Sequence, residues 1–459
     1  MLKTLFSLFV FLLPLHALII TTLKCRFELN VDYIRFWKEF FILWALGYAF
    51  YLGYKKAGYS LKKLYKHNTL LWLVSLYIAC SVFFIYFPFM ELKAASVLWF
   101  RYNVFFLLAF LIWLYIVQLK GELRSLLKTS FIISLGIIVV FLPWFLFWDI
   151  ASKAAIFWYS TEVSTYTANQ CLSFAQNVTG WYHRLQASFG SPINFSVYLT
   201  LVLTFFAGWL LSSPRFSRKQ KYVIGWGFAT LCLTAIFFTY TKTSLLWVLF
   251  STALFSFLSY KYVLKRKIGW IFYAWVWGLT LTPIAIIALF KGELFLHLWA
   301  VLNRLDNLKM SVEMFLYNPF WYGLGIAGPA SQIGNSIESA GDWVIATSTI
   351  QTVHKFLPEN WFVQVLLEQG IIGFVLFVAL FIVIWVRLFE RVKKHRDYMS
   401  VAAFTAFIGL CFMGLFVHVF EDAAISYTAF LIFGILLSES VAEEQHIWEK
   451  LEKLKKYKK

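Results

Sequence analysis

This sequence predicts an all-α polytopic membrane protein, on three observations. Hydrophobic residues make up 61% of the chain and charged residues only 14%, a balance outside the range of a soluble domain. Apolar runs of about twenty residues, the length a helix needs to cross a bilayer, recur from one end to the other. The runs are also continuous, where a barrel would need short alternating segments, and in lipid a helix satisfies its own backbone groups.

The runs divide into about twelve spans. They cover approximately Thr4 to Thr21, Trp37 to Tyr54, Thr69 to Pro88, Asn103 to Leu119, Thr129 to Trp148, Phe195 to Ser212, Tyr222 to Phe238, Ser244 to Tyr260, Gly269 to Phe290, Trp361 to Phe389, Ser400 to Phe420 and Ala424 to Leu437. The first run follows Lys3 without a convincing small-residue cleavage site before Lys24, so it reads as a membrane helix and not a removed leader.

Net charge is +18, which in a soluble protein would suggest nucleic acid. Here the Lys and Arg sit in short loops after the even-numbered spans, at Lys55 to Lys66, Lys120 to Lys128, Arg215 to Lys221, Lys261 to Lys267 and Arg391 to Arg396, with a further run in the 441–459 tail. Such loops mark the cytoplasmic side. The charge therefore reports topology and anionic lipid, both termini are expected in the cytoplasm, and no nucleic-acid partner is expected. The five cysteines lack metal-ligand spacing; Cys25 and Cys171 both fall on the expected outer side, where a disulfide is chemically allowed.

On this topology the outer side receives two long segments, 149–194 and 291–360, and a tight turn, TYTKTS, between the seventh and eighth spans. With no tandem repeat, the chain 1–459 reads as one membrane domain carrying a large outward loop at 291–360. That loop is the one long polar interruption in the sequence, and it reads as the wall of a reaction chamber.

Cations on the outer side break the positive-inside pattern. Arg184 stands before a Gly-Ser-Pro turn in which Asn194 is placed to cap the sixth span. Lys242 occupies the TYTKTS turn, where the Thr243 hydroxyl and the first backbone N–H groups of the next helix could face an anion. Arg304 opens an amphipathic helix whose apolar face is Leu305, Leu308, Val312 and Phe315, ending at Asn318-Pro319 before the glycine-rich GLGIAG. Any one of these is ordinarily an interfacial snorkelling residue. As a set, Arg184, Lys242 and Arg304 suit a diphosphate clamp, since guanidinium and ammonium groups compensate charge on a leaving group.

At the mouth of the tenth span, Glu359 is either a helix N-terminal carboxylate favoured by the dipole or a general base for an acceptor hydroxyl. Asn360 follows it. His354, in the loop, is a second candidate base. Glu368 lies two turns into an apolar helix, where an ionisable residue is functional or critical for packing. No metal-binding pair, phosphate-binding loop or dinucleotide motif is present.

The segments RLQASFGSPINFSVYL, TYTKTS, NRLDNLKMSVEMFLYNPFWYGLGIAG and ENWFVQVLLEQGIIG, in that order and topological placement, resemble the bacterial O-antigen ligase and polymerase superfamily. The resemblance covers 181–373 by motif and the whole chain by span count. It implies a glycosyltransferase of the bacterial inner membrane with its active site facing outward, without metal or other cofactor. The donor would be a glycan on undecaprenyl diphosphate, the diphosphate being the leaving group, and the acceptor a hydroxyl of a glycan, lipid or protein.

It further implies that Arg304 and Arg184 are the arginines of the loop helix and of the turn before the sixth span. Asn360, Glu368 and Gly370 match the motif that in ligases reads His-Asn and then Glu-x-Gly. The ligase histidine is Glu359 here, and the turn that often reads Ser-Arg-Gly is Thr241-Lys242-Thr243, which keeps a cation without the bidentate fork. These differences leave a lipid A core ligase, a polysaccharide polymerase and a protein O-oligosaccharyltransferase open. Outside the family, the competing classes are a lipid-linked oligosaccharide transporter or flippase and, least favoured, a non-enzymatic scaffold.

Overall fold

The computed structural model describes residues 8–25, 34–55, 68–86, 94–115, 184–266, 298–320, 322–325 and 360–438, with isolated positions at 27, 29, 136, 278, 327 and 358. Every regular element among these residues is helical. In chain order they are α1 (Leu8–Lys24), α2 (Trp37–Lys55), α3 (Thr69–Tyr86), α4 (Ala94–Asn103), α5 (Phe105–Tyr115) and α6 (Pro192–Ser212). There follow α7 (Arg218–Phe238), α8 (Lys242–Leu258, continued by a π turn over Ser259–Val263), α9 (Leu298–Tyr317), α10 (Trp361–His395), α11 (Tyr398–Gly414) and α12 (Ala423–Ser438).

Five stretches are long and apolar enough to cross a membrane: α3, α6, α7, α8 with its π turn, and α10. Shorter apolar helices are α1, the stretch Ser96–Ile112 shared by α4 and α5, α11 and α12. The expected spans over Thr129 to Trp148 and Gly269 to Phe290 lie outside the described residues. Several observed starts precede the expected ones because capping chemistry, and not the first apolar residue, sets them. Ser191 accepts from the Asn194 N–H and places Pro192 in the first turn of α6. Ser217 and Gln220 form a reciprocal capping box that draws the polar residues 218–221 into α7. The expected fourth span instead jogs at Val104, between α4 and α5, and the eleventh stops at Gly414, leaving a turn that holds the short 3-10 helix Val419–Glu421.

Cross-helix contacts divide the bundle into two ends. At one, the Leu185 N–H donates to the Phe238 carbonyl (2.9 Å). There also Ser196 and Ser244 share a hydrogen bond (2.6 Å), Asn194 reaches Asp422 (2.8 Å) and Gln364 reaches Glu421 (2.9 Å). This brings together the starts of α6, α8, α10 and α12 with the ends of α7 and α11. At the other end, Tyr262 meets Phe389 edge-on at 5.9 Å, and Lys393 lies over the Phe389 ring at 4.4 Å. Arg215, Arg218, Lys219, Lys221, Lys261, Lys265, Arg266, Lys394 and Arg396 belong to the helix ends gathered there. Close approach of α6 to α11 depends on Gly208, where a Cβ would meet the Tyr398 carbonyl at 2.9 Å.

Between the ends lies an aromatic layer. Trp361 packs at a tilt against Phe420 (4.2 Å) and edge-on to Phe377 (4.7 Å), and Phe377, Phe381, Phe407, Phe430 and Phe433 continue the cluster. Such contacts add to the burial of large apolar rings.

α10 is not one helix. At Gly370 the backbone turns to φ 63, ψ −170, a region essentially confined to glycine. The helix is thereby divided into a short first half, 361–369, and a long second half, 371–395. A break frees backbone groups that lipid cannot satisfy. The segment after α9 fills it: the Ile371 N–H donates to the Pro319 carbonyl (3.1 Å) and the Tyr322 N–H to the Leu367 carbonyl (3.0 Å). α9 itself ends as expected at Asn318, whose N–H still reaches Met314 and whose side chain accepts from the Phe320 N–H at 3.4 Å.

Of the expected apolar face of α9, Phe315 packs inward and the other three residues do not. Leu305 and Val312 are 56% and 49% exposed, whereas Ser311 and Met314 are buried, and the helix packs on α10. The Leu305, Leu308 and Val312 stripe instead points out of the protein, as an apolar stripe does when lipid and not protein covers it.

A Cβ at Gly370 would overlap the Phe320 carbonyl. Gly370→Ala is therefore expected to prevent the 319–322 segment from seating in the break and to cost about 3 kcal/mol or more, read as a large drop in detergent thermal stability or loss of monodisperse protein.

Candidate functional site

Arg184, the first residue described before α6, turns back onto the α7–α8 connection. Its Nε donates to the Thr239 carbonyl (2.8 Å) and its Nη2 to Thr241 Oγ1 (3.0 Å). A guanidinium at the end of α7 meets carbonyls that lack helical partners, and the helix dipole favours a cation there. Burial lowers its pKa to about 10, so it is charged at neutral pH. Thr241 is the N-cap residue of α8 and Lys242 its first residue, with Lys242 and Thr243 half-buried. Two of the three expected clamp cations, Arg184 and Lys242, thus share one turn. Arg304 lies in α9, but its side chain falls outside the described residues, as do His354 and Glu359 entirely.

Asn194 has a role different from the one expected, and Asn360 serves as a helix cap. Asn194 does not cap α6, because Ser191 does; its amide donates to Asp422 Oδ2 (2.8 Å). Asn360 is the N-cap of α10, its Oδ1 accepting from the Val363 N–H (3.1 Å), so that oxygen is committed to the helix and not to a ligand.

Glu368, in the last turn before the break, is fully buried. Its Oε1 accepts from the backbone N–H groups of Gly325 and Ala327, each at 3.0 Å, while Oε2 is buried with no partner. The described part of GLGIAG is thereby pinned, with Gly323 and Gly325 at positive φ and Leu324 buried. The spacing of Glu368 and Gly370 acquires a physical meaning: the glycine opens the helix and the carboxylate anchors the segment that fills it. Gln369 completes the turn, donating to Ser81 of α3 (3.1 Å).

One layer away, Glu421 occupies the turn between α11 and α12. Its Oε1 accepts from Gln364 (2.9 Å) and from Asn103 (3.2 Å), and its Oε2 is buried without a partner. Asn103 also accepts from the Trp361 indole, and the Gln364 amide touches the Ala327 carbonyl (3.4 Å). Burial raises Glu421 to about 7 and raises Asp422 as well. Asp422 accepts from the N–H groups of Ala424 (2.9 Å) and Ile425 (3.3 Å) at the start of α12. Three residues before Glu421, His418 has both ring nitrogens buried and unpartnered, and burial lowers it to about 4, so it is neutral at pH 7.

A third group was not anticipated. Arg101 of α4 donates through Nε to Glu39 Oε1 (2.6 Å) and through Nη2 to the Arg35 carbonyl (2.7 Å). Lys38 lies 3.6 Å from the same carboxylate oxygen and 3.1 Å from His16 Nε2, and the Trp37 indole donates to His16 Nδ1 (3.0 Å). Lys38, Glu39 and Arg101 are all buried, a placement tolerated because each charge has a close partner. In the sequence these residues sit at the edges of apolar runs, where they resemble ordinary interfacial charges. The adjacent pair Glu421-Asp422 between the last two spans was the legible signal: two acids in a short turn between apolar helices.

Of the charged side chains buried among the described residues, Lys38, Glu39, Arg101 and Glu368 stand at or toward this end, and only Arg391 belongs to the other. The layer contains carboxylates that can hold a proton and cations that can face an anion. Among the described residues no group of three or more His, Cys, Asp or Glu is disposed to hold a metal ion.

Glu368→Ala should strand two buried N–H groups at a cost of about 1–3 kcal/mol each and open the GLGIAG segment to limited proteolysis, while Glu368→Gln, which keeps an acceptor oxygen, should remain protected. Arg184→Ala should lower thermal stability by about 1–3 kcal/mol, and Arg184→Lys should restore only part of it.

No protein-family profile matches the chain and no curated protein is significantly similar to it, so what the site does rests on the chemistry of these residues.

Proposed function

We propose that this protein is a membrane glycan transferase that moves an oligo- or polysaccharide from a polyprenyl diphosphate to an acceptor hydroxyl at the outer face of a bacterial cytoplasmic membrane. The observation that carries the reading is the one-sided distribution of ionisable groups. Carboxylates, cations and the pinned glycine segment gather at one end of the bundle, and the Trp361, Phe377, Phe381 and Phe420 cluster lies beneath them. The loop helices gathered at the opposite end carry most of the described Lys and Arg, which by the positive-inside rule would face the cytoplasm. The catalytic end then faces outward, below the large 291–360 loop.

In this reading Lys242, held at the start of α8 by the Arg184–Thr241 contact, stabilises the departing diphosphate together with the N-terminal amides of that helix, and Arg304 completes the clamp from α9. The acceptor oxygen attacks the anomeric carbon as the sugar–phosphate bond breaks, and the diphosphate leaves with the electron pair. A carboxylate of the site takes the acceptor proton. Whether the acceptor belongs to a glycan, a lipid or a protein distinguishes a polymerase, a ligase and a protein O-oligosaccharyltransferase.

A second reading, a lipid-linked oligosaccharide flippase, draws on the broken α10, since transporters build substrate sites from discontinuous helices. A transporter needs a polar route to both faces, and the aromatic layer interrupts such a route among the described residues.

Purified protein given a defined polyprenyl-diphosphate oligosaccharide and alternative acceptors should yield transferred glycan and free polyprenyl diphosphate. Arg304→Ala should reduce transfer by about 100-fold or more with the protein still inserted. Translocation of the intact donor across proteoliposomes without transfer would instead establish the flippase.

A further inference from the structure

We propose that Glu421 is the proton acceptor of this site, receiving the acceptor hydroxyl's proton on Oε2 as the new glycosidic bond forms. The inference rests on the transferase reading and assigns its acid–base step to the α11–α12 turn, a place the sequence motifs do not mark.

Three features single out this carboxylate. First, its two oxygens are differentiated: Oε1 is held by the Asn103 and Gln364 amides, which fixes the plane of the group, whereas Oε2 has no protein partner although it is buried. A buried acceptor oxygen without a partner is costly to fold and marks a place where a ligand or proton completes the structure. Glu39 and Glu368 also carry a buried unpartnered oxygen, but Glu39 is paired with Arg101 and Lys38, and Glu368 is spoken for as the anchor of Gly325 and Ala327.

Second, Glu421 borders the segment that leads into the outer loop. Gln364 touches both Glu421 Oε1 and the Ala327 carbonyl, so one amide separates the carboxylate from the last described residue of GLGIAG. The residue as a whole is half-buried, not sealed like Glu368.

Third, its surroundings suit proton exchange near neutrality. Glu421 lies within electrostatic reach of Glu368 on α10 and of Tyr102 on α4, Arg101 and Glu39 also act on Tyr102, Lys38 of α2 acts on the adjacent Asp422, and Asp422 and His418 share its own turn. His418 is neutral, and Asp422 is bonded to Asn194 and the start of α12. Burial places Glu421 at about 7, where a base is ionised often enough to accept a proton and strong enough to drive the transfer.

The chemistry balances without a co-reactant. The acceptor O–H bond breaks and its proton passes to Glu421 Oε2; the acceptor oxygen bonds the anomeric carbon; the bond from that carbon to the phosphate oxygen breaks, and its electron pair departs on the diphosphate. The proton is then released to water and the carboxylate regenerated.

Glu421→Gln provides the decisive comparison, because the amide oxygen can still accept from Asn103 and Gln364 while the proton-accepting oxygen is gone. With wild-type transfer from polyprenyl-diphosphate oligosaccharide established, the variant should fold with unchanged detergent stability and donor binding, and transfer should fall by about 10²–10⁴-fold. In the wild type, transfer should decline as pH falls through about 7, because protonation removes the base. Gln364→Met removes a donor that stabilises the ionised form, so that limb should move to higher pH.

Wild-type transfer that persists in folded Glu421→Gln with the same pH profile would overturn the proposal and leave the transferase reading intact. Should the variant fail to fold, an unmoved acidic limb in Gln364→Met would overturn it equally. Absence of transfer in the wild type itself, with every acceptor, would overturn the functional reading before Glu421 is tested.

Discussion

The structure depends on how it resolves one constraint: an interrupted helix inside an apolar bundle must have its freed backbone groups bonded by something other than water. At Gly370 that partner is the chain just after α9. Two backbone hydrogen bonds, from Ile371 to Pro319 and from Tyr322 to Leu367, close the gap, and the Glu368 carboxylate secures the following turn. The short half-helix that results carries Trp361, Gln364 and Glu368. Trp361 belongs to the aromatic floor, Gln364 to the Glu421 contact and Glu368 to the loop anchor. Backbone geometry at one glycine therefore sets the register of the polar layer.

That layer is assembled from distant parts of the chain. Arg101 joins α4 to α2 through Glu39, Asn103 joins α4 to the α11–α12 turn through Glu421, and Asn194 joins α6 to the same turn through Asp422. Each contact satisfies a polar group that burial would otherwise penalise, and breaking one side would leave the other uncompensated. The apolar remainder can be packed in many ways, because rings and aliphatic chains attract without strong direction. Directional pairs among α2, α4, α6, α10 and α12 select one arrangement.

Much of this was legible in the sequence and some could not be. Continuous apolar runs located the helices, since length and composition alone determine whether a segment can cross lipid. Glu368 stood out by its depth, and Arg184 and Lys242 by breaking the charge pattern, and the structure brings the latter two to one turn. The division of α10 was hidden: a glycine in an apolar run is common in membrane helices, and only the arrival of Pro319–Tyr322 makes Gly370 a break. The roles of Lys38, Glu39 and Arg101 were hidden for a related reason, as charges at span edges look alike until their partners from other helices are known. Asn194 was read as a cap from its position in a turn, but Ser191, three residues earlier, had the better geometry for that task. The side on which α9 packs against α10 was not legible, because periodicity finds the apolar stripe without saying whether lipid or protein covers it.

The order in which the chain is made bears on the seal at Gly370. Pro319 through Ala327 precede α10, so these residues are already synthesised when Gly370 leaves the ribosome, and the interruption can be closed as it emerges. Asn194 has no such advantage: its carboxylate partner, Asp422, arrives 228 residues later. The amino-terminal helices must therefore be held in the bilayer with unfinished polar contacts until the final hairpin arrives, which makes the last helices of this protein the step that commits the earlier ones to their places.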